Sequence, residues 1–111
     1  DTFMCTAALS HAAPAVGEPA LVDTATRRLL GLYSSGQRDG GDGLVWHGYD
    51  SATGSHSCCK WGDGNGWLLM AMADAVRGYV QLGSHAGDAV LRAELIGAFG
   101  TYATAWVATQ H

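Results

Sequence analysis

Residues 60–67, with the sequence KWGDGNGW, contain the side chains best suited to binding a ligand. Trp61 and Trp67 carry indole rings, whose faces can stack on the C–H faces of sugar rings. The glycines between them allow a bulky ligand to approach the backbone closely. An apolar helix is predicted directly after Asn65, and the N-terminus of a helix favours an anionic ligand. The segment is therefore typical of a site for an acidic sugar, although glycine and tryptophan also occur together where a loop packs under a helix.

Histidines and cysteines precede this segment and raise the question of a metal site. The spacings among His47, His56, Cys58 and Cys59 match no standard zinc pattern, so we predict no metal ion and no cofactor. Three cysteines cannot form a closed set of disulfides, and a bridge between adjacent cysteines needs an unusual backbone geometry. Cys5 lies on an apolar helix face. Free thiols are therefore expected, which slightly favours a reducing compartment.

The composition indicates one small globular domain. The chain has 111 residues, of which 48% are hydrophobic, and a formal net charge of −4. It contains no basic block, so a nucleic-acid partner is not predicted. No apolar run approaches the roughly 18–20 residues needed to cross a bilayer, so no membrane partner is predicted either. We expect a soluble protein, with the cytoplasm slightly favoured over secretion.

Apolar periodicity and helix-breaking residues predict four helices, so the expected fold class is all-α. The first two cover about residues 2–16 and 19–33, separated by a glycine that ends one helix and a proline that opens the next. The third and fourth are predicted at about 66–82 and 88–110. The fourth carries an apolar stripe at steps of four, three and four residues, which is typical of a core-facing surface. The stripe consists of Leu95, Phe99, Tyr102 and Trp106.

A long loop at residues 36–65 joins the two predicted helical hairpins. More than half of the sixteen glycines of the chain lie in or next to it, together with several aromatic residues. Loops of this length within a helical unit are usually functional or disordered, and the aromatic residues argue against disorder. Because an isolated helical hairpin cannot bury both of its faces, the pattern indicates repetition of hairpins in a larger array.

Three motifs in this order resemble a known group of enzymes. They are DTFM at residues 1–4, GLVWHGYD at 43–50 and WGDGNGW at 61–67. They are similar to the unsaturated glucuronyl and rhamnogalacturonyl hydrolases of glycoside hydrolase families 88 and 105, and the resemblance covers essentially the whole chain. It implies an (α/α)6 barrel of six helical hairpins, of which residues 1–111 would form two αα-hairpins, roughly a third of the domain.

The resemblance also implies an unusual reaction for a glycosidase. A carboxylic acid protonates the C4=C5 double bond of a terminal 4,5-unsaturated uronic acid, water adds at C5, and the hydrated sugar rearranges and releases the remaining saccharide. Such chemistry needs a carboxyl group that first donates a proton and then acts as a base. Asp1 matches the catalytic aspartate of the family, and His47 matches the histidine beside it. From the residues alone, Asp1 fits the cap of a helix and His47 an ordinary loop position.

The same resemblance implies the substrate-binding residues. Trp61 and Trp67 fit a stacking platform, and Asn65 can offer both a donor and an acceptor to sugar hydroxyls. Asp63 departs from the family pattern, because many relatives have arginine there. Since this exchange reverses a charge beside an acidic sugar, another cation is expected to compensate, with Lys60 as one candidate and the N-terminus of the third helix as another.

We expect the chain to be an internal or C-terminal part of a longer enzyme. The second aspartate of the family site belongs upstream of Asp1, so we predict that the isolated chain is inactive and needs the rest of the catalytic domain as its partner. The expected substrates are oligosaccharides that polysaccharide lyases release, such as pectin fragments. They contain the terminal unsaturated uronic acid that the reaction requires.

Two other functions are compatible with the sequence. The protein could be an (α/α)-barrel glycosidase that cleaves a saturated glycosidic bond with Asp1 and Asp63 as its carboxylate pair. Such pairs lie roughly 5–5.5 Å apart in retaining enzymes and 6.5–9.5 Å apart in inverting enzymes. It could also be a carbohydrate-binding protein that keeps the aromatic loop and has no catalytic activity.

Overall fold

The computed structural model describes residues 1–110, which form four helices and one long loop. The helices are α1 (Thr2–Val16), α2 (Pro19–Ser34), α3 (Gly62–Leu82) and α4 (Ala89–Ala108). Within the described residues, the strands are limited to the two-residue pair β1 (Tyr49–Asp50) and β2 (Ser55–His56), which is antiparallel. The predicted all-α class is thus confirmed. None of the four helices is both long and apolar enough to cross a membrane.

The largest difference from the predicted helix bounds is at the start of α3. This helix begins at Gly62 and not at residue 66, so the loop predicted at 36–65 ends at Trp61. Glycines in a helix cost up to about 1 kcal/mol each relative to alanine, which is why the sequence favours a loop there. Hydrogen bonds from the buried Asn65 hold this first turn in the helix. The fourth helix covers residues 89–108 and not 88–110, because Asp88 is its N-cap and Thr109 its C-cap.

Local sequence signals explain three of the helix ends. Gly17 closes α1 in the left-handed conformation, with a φ of 68° that a residue with a side chain rarely adopts. Glu18 precedes the proline that opens α2, and its carboxylate accepts a hydrogen bond from the N–H of Ala20. At the start of α4, the Asp88 carboxylate accepts hydrogen bonds from the N–H groups of Val90 and Leu91. These caps satisfy donors that have no partner within the helix.

The core lies where α3 packs against the other three helices. Helix α1 packs against α2 and α3, and α4 packs against α2 and α3. In the apolar stripe of α4, Leu95 and Tyr102 are fully buried, while Phe99 and Trp106 are partly buried against the core. Side chains from all four helices and from the loop contribute to one apolar cluster. Its buried members include Ala13, Val22, Leu29, Val45, Leu68, Met72, Tyr79, Leu95 and Tyr102.

One polar contact ties together three of the helices. The Asp23 carboxylate of α2 accepts a hydrogen bond of 2.7 Å from the Tyr79 hydroxyl of α3 and one of 3.0 Å from the N–H of Asp88, at the start of α4. Burial raises the pKa of the Tyr79 hydroxyl to about 12, so this group stays protonated and donates at neutral pH. The contact fixes where α4 begins relative to α2 and α3.

The close approach of α1 and α3 depends on Gly78. A Cβ atom at this position would lie 2.8 Å from the carbonyl oxygen of Ser10 and 3.2 Å from Cγ2 of Val22. The first contact is to backbone, which cannot rotate away as a side chain can. A side chain at residue 78 must therefore push α1 away from α3.

We predict that Gly78→Ala destabilises the full-length protein, while Gly97→Ala on the exposed side of α4 does not. Alanine gains about 1 kcal/mol of helix propensity at either site, but overpacking at residue 78 costs about 1–3 kcal/mol. Nothing lies within 4 Å of a Cβ atom at residue 97, which makes it a matched control. Urea denaturation should show a lower midpoint for the first variant and an equal or higher midpoint for the second. A stabilising Gly78→Ala would contradict this account of the helix contact.

Candidate active site

A cleft of about 230 Å³ lies between the start of α1, the end of α2, the loop and the first three turns of α3. Five of the seven site residues predicted from the sequence line it: Asp1, His47, Trp61, Asn65 and Trp67. The two others, Lys60 and Asp63, do not. The cleft is also lined by residues that the sequence did not single out for a site, namely Thr2, Phe3, Leu32, Gln37, Val45, Trp46, Gly64, Leu68 and Ala71.

Asp1 occupies the N-cap position of α1, but its side chain makes no capping hydrogen bond. The contact to the helix is made by the backbone, where the Asp1 carbonyl accepts from the N–H of Cys5 at 3.2 Å. The carboxylate is exposed and borders the cleft. The fold therefore leaves this acid available for chemistry, although its position in the sequence is that of a cap.

His47 is held at the mouth of the cleft by its backbone and by its ring. Its N–H donates a hydrogen bond of 3.1 Å to the carbonyl of Cys59. Its imidazole stacks on the indole of Trp61, with 4.8 Å between ring centroids and 22° between ring planes. A Cβ atom at Gly64 would lie 3.7 Å from the ring nitrogen Nδ1, so the imidazole also packs beside the first turn of α3. These contacts orient the ring while leaving the residue exposed.

The second indole is supported from α1. Trp67 packs on Phe3 with 4.8 Å between ring centroids and a tilt of 34°. Trp61 and Trp67 remain 56% and 49% exposed. Each indole thus has one aromatic neighbour that fixes its orientation, and about half of its surface is free for a ligand. Large rings that are both oriented and exposed are suited to stacking on a sugar.

Asn65 is the central hydrogen-bonding residue behind the cleft. Its amide nitrogen donates to the carbonyls of Val45 and Trp61, at 3.1 Å and 3.0 Å. Its oxygen accepts from the N–H of Val45, at 2.9 Å, and from the hydroxyl of Tyr102. Because the residue is only 1% exposed and all four of these hydrogen bonds are made within the chain, no capacity is left for a sugar hydroxyl. The predicted sugar contact of Asn65 is therefore corrected to a structural role.

Gln37 holds the opposite side of the same loop segment. Its side-chain amide donates to the backbone carbonyl of Trp46 at 3.0 Å. Its backbone carbonyl accepts from the N–H of Trp46 at 2.8 Å. The indole of Trp46 stacks almost parallel on His56, with 3.9 Å between ring centroids. Nothing in the sequence marks Gln37, because its role depends on a partner nine residues away across an irregular turn. Trp46 could have been predicted as a lining residue from the sequence, because it directly precedes the predicted site residue His47.

Lys60 points away from the cleft and into the loop. Its ammonium group contacts the carboxylates of Asp39 and Asp42, the latter at 2.7 Å, and lies 4.3 Å from the ring centroid of Trp46. Two carboxylates therefore already neutralise its charge. The proposed role of Lys60 as the cation that compensates for Asp63 is corrected on this ground. The hydrogen bonds from Lys60 lower the pKa values of both carboxyl groups.

Asp63 lies in the first turn of α3 and is exposed. A negative charge there interacts favourably with the partial positive charge of the helix N-terminus. The sequence did not reveal this structural reason for an acid at residue 63, because the sequence pattern predicts that the helix starts one turn later. Asp63 does not line the cleft that Asp1 borders. Within residues 1–110, no three histidine, cysteine or acidic side chains are grouped as a metal ion would require.

The comparisons with known proteins agree with the resemblance seen in the sequence. The family model described as Glycosyl Hydrolase Family 88 matches residues 1–110. No curated protein sequence and no solved structure matches the chain. The predicted family is confirmed by a match over nearly the whole chain, and the four helices fit an all-α part of a six-hairpin glycosidase fold.

We predict that Asn65→Ala destabilises the full-length protein by about 2–4 kcal/mol, because the N–H and carbonyl of Val45 lose their partners in a buried position. Tyr102→Phe removes one donor to the same side chain and should cost only about 1 kcal/mol. Urea denaturation measures both values, and amide hydrogen exchange at Val45 should be faster in the first variant. An Asn65→Ala protein as stable as Tyr102→Phe would rule out the central role of this amide.

A second prediction concerns the pKa values in the loop. Lys60→Gln should raise the pKa values of Asp39 and Asp42 towards their ordinary range, because the hydrogen bonds from Lys60 are the largest cause of their lowering. Asp50 is the matched control, since the N–H of Ala52 and the hydroxyl of Thr53 lower its pKa instead. A carboxyl group whose pKa is lower in the folded protein than in the unfolded chain stabilises the fold at pH values above its unfolded pKa. This stabilisation is lost as the pH falls through the folded pKa. Carboxyl chemical shifts followed by NMR during an acid titration give all three pKa values. Equal shifts at Asp50 would show that the effect is not local to Lys60.

Proposed function

The chain belongs to glycosyl hydrolase family 88, and from this premise we propose that its protein releases terminal 4,5-unsaturated uronic acids from oligosaccharides. Family membership itself supports the general activity, which is that of a glycoside hydrolase. The finer proposal is supported by one observation above all: Asp1, His47 and the two exposed indoles, Trp61 and Trp67, border a single cleft.

In this proposal Asp1 is the acid and then the base. Its carboxyl group protonates C4 of the double bond, positive charge develops at C5, and a water molecule adds there as the carboxylate takes up a proton. The resulting hydrated sugar opens and releases the remaining saccharide. The availability of the Asp1 side chain supports this role, because a carboxylate used as a helix cap would have to give up its hydrogen bonds first.

His47 and the indoles position the substrate. The imidazole, held by Trp61 on one side, can donate to or accept from a substrate hydroxyl or the attacking water. Trp61 and Trp67 offer exposed ring surface for the sugar. The free N–H groups at the start of α3, where the Asn65 N–H makes the first helical hydrogen bond, favour the uronate carboxylate. Asp63 in that first turn partly offsets this attraction, so we propose that a cation outside residues 1–110 completes the recognition of the carboxylate.

The size of the cleft supports a role for further parts of the protein. Its volume of about 230 Å³ is below the roughly 300–1,000 Å³ typical of complete ligand pockets. We propose that the remaining hairpins of the barrel supply the other wall and the second acidic residue. The isolated chain would then lack turnover.

The two other functions have less support. A saturated glycosidic bond would need a carboxylate pair, and Asp63 does not border the cleft with Asp1. In a purely sugar-binding protein, the Asp1 carboxylate, which makes no capping hydrogen bond, would have no function.

We predict that the full-length protein removes the ultraviolet absorbance of unsaturated uronyl oligosaccharides and that Asp1→Asn lowers the rate by about 10²–10⁴-fold. Glu94→Gln is the matched control, because Glu94 is an exposed carboxylate of α4 that does not line the cleft. Absorbance decay gives kcat and KM for each variant. An asparagine at residue 1 removes the proton donor while keeping a side chain of similar shape.

Other outcomes separate the alternatives. Release of sugar from saturated substrates together with equal losses in Asp1→Asn and Asp63→Asn would support the carboxylate pair. Oligosaccharide binding without any decay of absorbance, unchanged by Asp1→Asn, would support the non-catalytic reading. Either result would overturn the proposed reaction.

A further inference from the structure

Two exposed cysteines lie beside the cleft and have no part in the proposed reaction. Cys58 and Cys59 follow β2 and precede the first turn of α3. Their sulfur atoms are 2.6 Å apart. The third cysteine, Cys5, is exposed on α1 in a different part of the fold. The pair thus presents two thiols to solvent at one point of the loop.

The geometry of neighbouring residues determines what such a pair can do. A disulfide bond is about 2.05 Å long, and the side chains of Cys58 and Cys59 already place their sulfur atoms in direct contact. However, the Cα atoms of adjacent residues are about 3.8 Å apart, below the usual range for bridged cysteines. A bond between them closes a ring of eight atoms that includes the peptide group. Such a constrained and exposed bridge is easily reduced, which suits a reversible modification and not a structural crosslink.

We propose that Cys58 and Cys59 are a reversible oxidation site that a peroxide converts into a vicinal disulfide. One thiolate attacks the O–O bond of the peroxide, which gives a sulfenic acid and, for hydrogen peroxide, one water. The neighbouring thiol attacks that sulfur, so the S–S bond forms, the S–O bond breaks and a second water leaves. The two thiols lose two electrons and two protons, and the peroxide is reduced. A dithiol reductant reverses the change.

The backbone around the pair links this modification to the cleft. The carbonyl of Cys59 accepts the N–H of His47 at 3.1 Å and the hydroxyl of Ser57 at 3.1 Å. Closing the ring changes ψ of Cys58 and φ of Cys59, the two torsions that flank the peptide bond between the cysteines, so the carbonyl of Cys59 is expected to move. His47 then loses a support, and Trp61, two residues beyond Cys59, moves with the chain. Oxidation is therefore expected to disturb the imidazole and indole that stack on each other.

Intact-protein mass spectrometry of the full-length protein tests the modification. Dilute hydrogen peroxide should lower the mass by about 2 Da, with the loss mapped to the peptide that contains residues 58 and 59, and dithiothreitol should restore it. Cys5→Ser should behave in the same way. Cys59→Ser should instead gain about 16 or 32 Da, because no second thiol is adjacent to capture the sulfenic acid. A gain of oxygen in the unmodified sequence, a bridge to Cys5 or a crosslink between two molecules would overturn the proposal.

Amide hydrogen exchange tests the link to the cleft without relying on catalysis. Oxidation should speed exchange in the peptide that contains His47, and Cys58→Ser treated with peroxide should show no such change. Disulfide formation with unchanged exchange at His47 would overturn the coupling. Oxidation is also expected to lower hydrolase activity, and this expectation rests on the proposed function. If the protein shows no hydrolase activity at all, the mass and exchange results still decide this proposal.

Discussion

The amide side chain of Asn65 determines how the loop meets the helices. It joins Val45 of the loop, Trp61 before α3 and Tyr102 of α4 through four hydrogen bonds in a site with almost no access to solvent. An amide side chain presents a donor and an acceptor side by side at neutral pH, so it can pair with both the N–H and the carbonyl of one residue, as a neighbouring strand would. The pairing with Val45 fixes the residues that follow it, Trp46 and His47. The cleft therefore depends on a residue whose side-chain hydrogen bonds are all made within the chain.

Additional contacts order a loop whose composition favours flexibility. Glycine loses more backbone freedom on folding than any other residue, so a glycine-rich segment needs several anchors. Lys60 supplies one by joining Asp39 and Asp42, and its ammonium group also lies over the indole of Trp46. A second anchor is the close packing of Tyr49 against the backbone at Gly36. Only glycine allows it, since a Cβ atom there would lie 2.6 Å from the Tyr49 hydroxyl. The loop is thus fixed near both of its ends and at its centre. Such distributed anchoring explains how aromatic residues in an irregular segment keep defined orientations.

Sequence patterns predicted the parts of the structure that depend on local interactions. The bounds of α1 and the start of α2 follow from Gly17, from a proline at the first helical position and from apolar periodicity. The convergence of Asp1, His47 and the indoles followed from the family resemblance and not from the residues alone. The predictions for the start of α3 and for the roles of Asn65 and Lys60 were wrong, because each feature depends on partners 18 to 37 residues away in the chain. No local pattern indicates which distant backbone groups an asparagine or a lysine will meet.

Hydrogen-bond accounting separates the residues that hold this site from those that can act in it. A buried polar group that lacks a partner is costly, so residues such as Asn65 and Tyr102 are fully committed to the fold. Burial also raises the pKa of Tyr102, which keeps its hydroxyl a donor to Asn65. The side chain of Asp1, by contrast, makes no contact that the start of α1 requires. The ring of His47 is oriented by stacking, which leaves its nitrogen atoms free of protein hydrogen bonds among the described residues. The groups that remain uncommitted at the cleft thus include a carboxyl group and an imidazole, two side chains that commonly act in general acid–base catalysis.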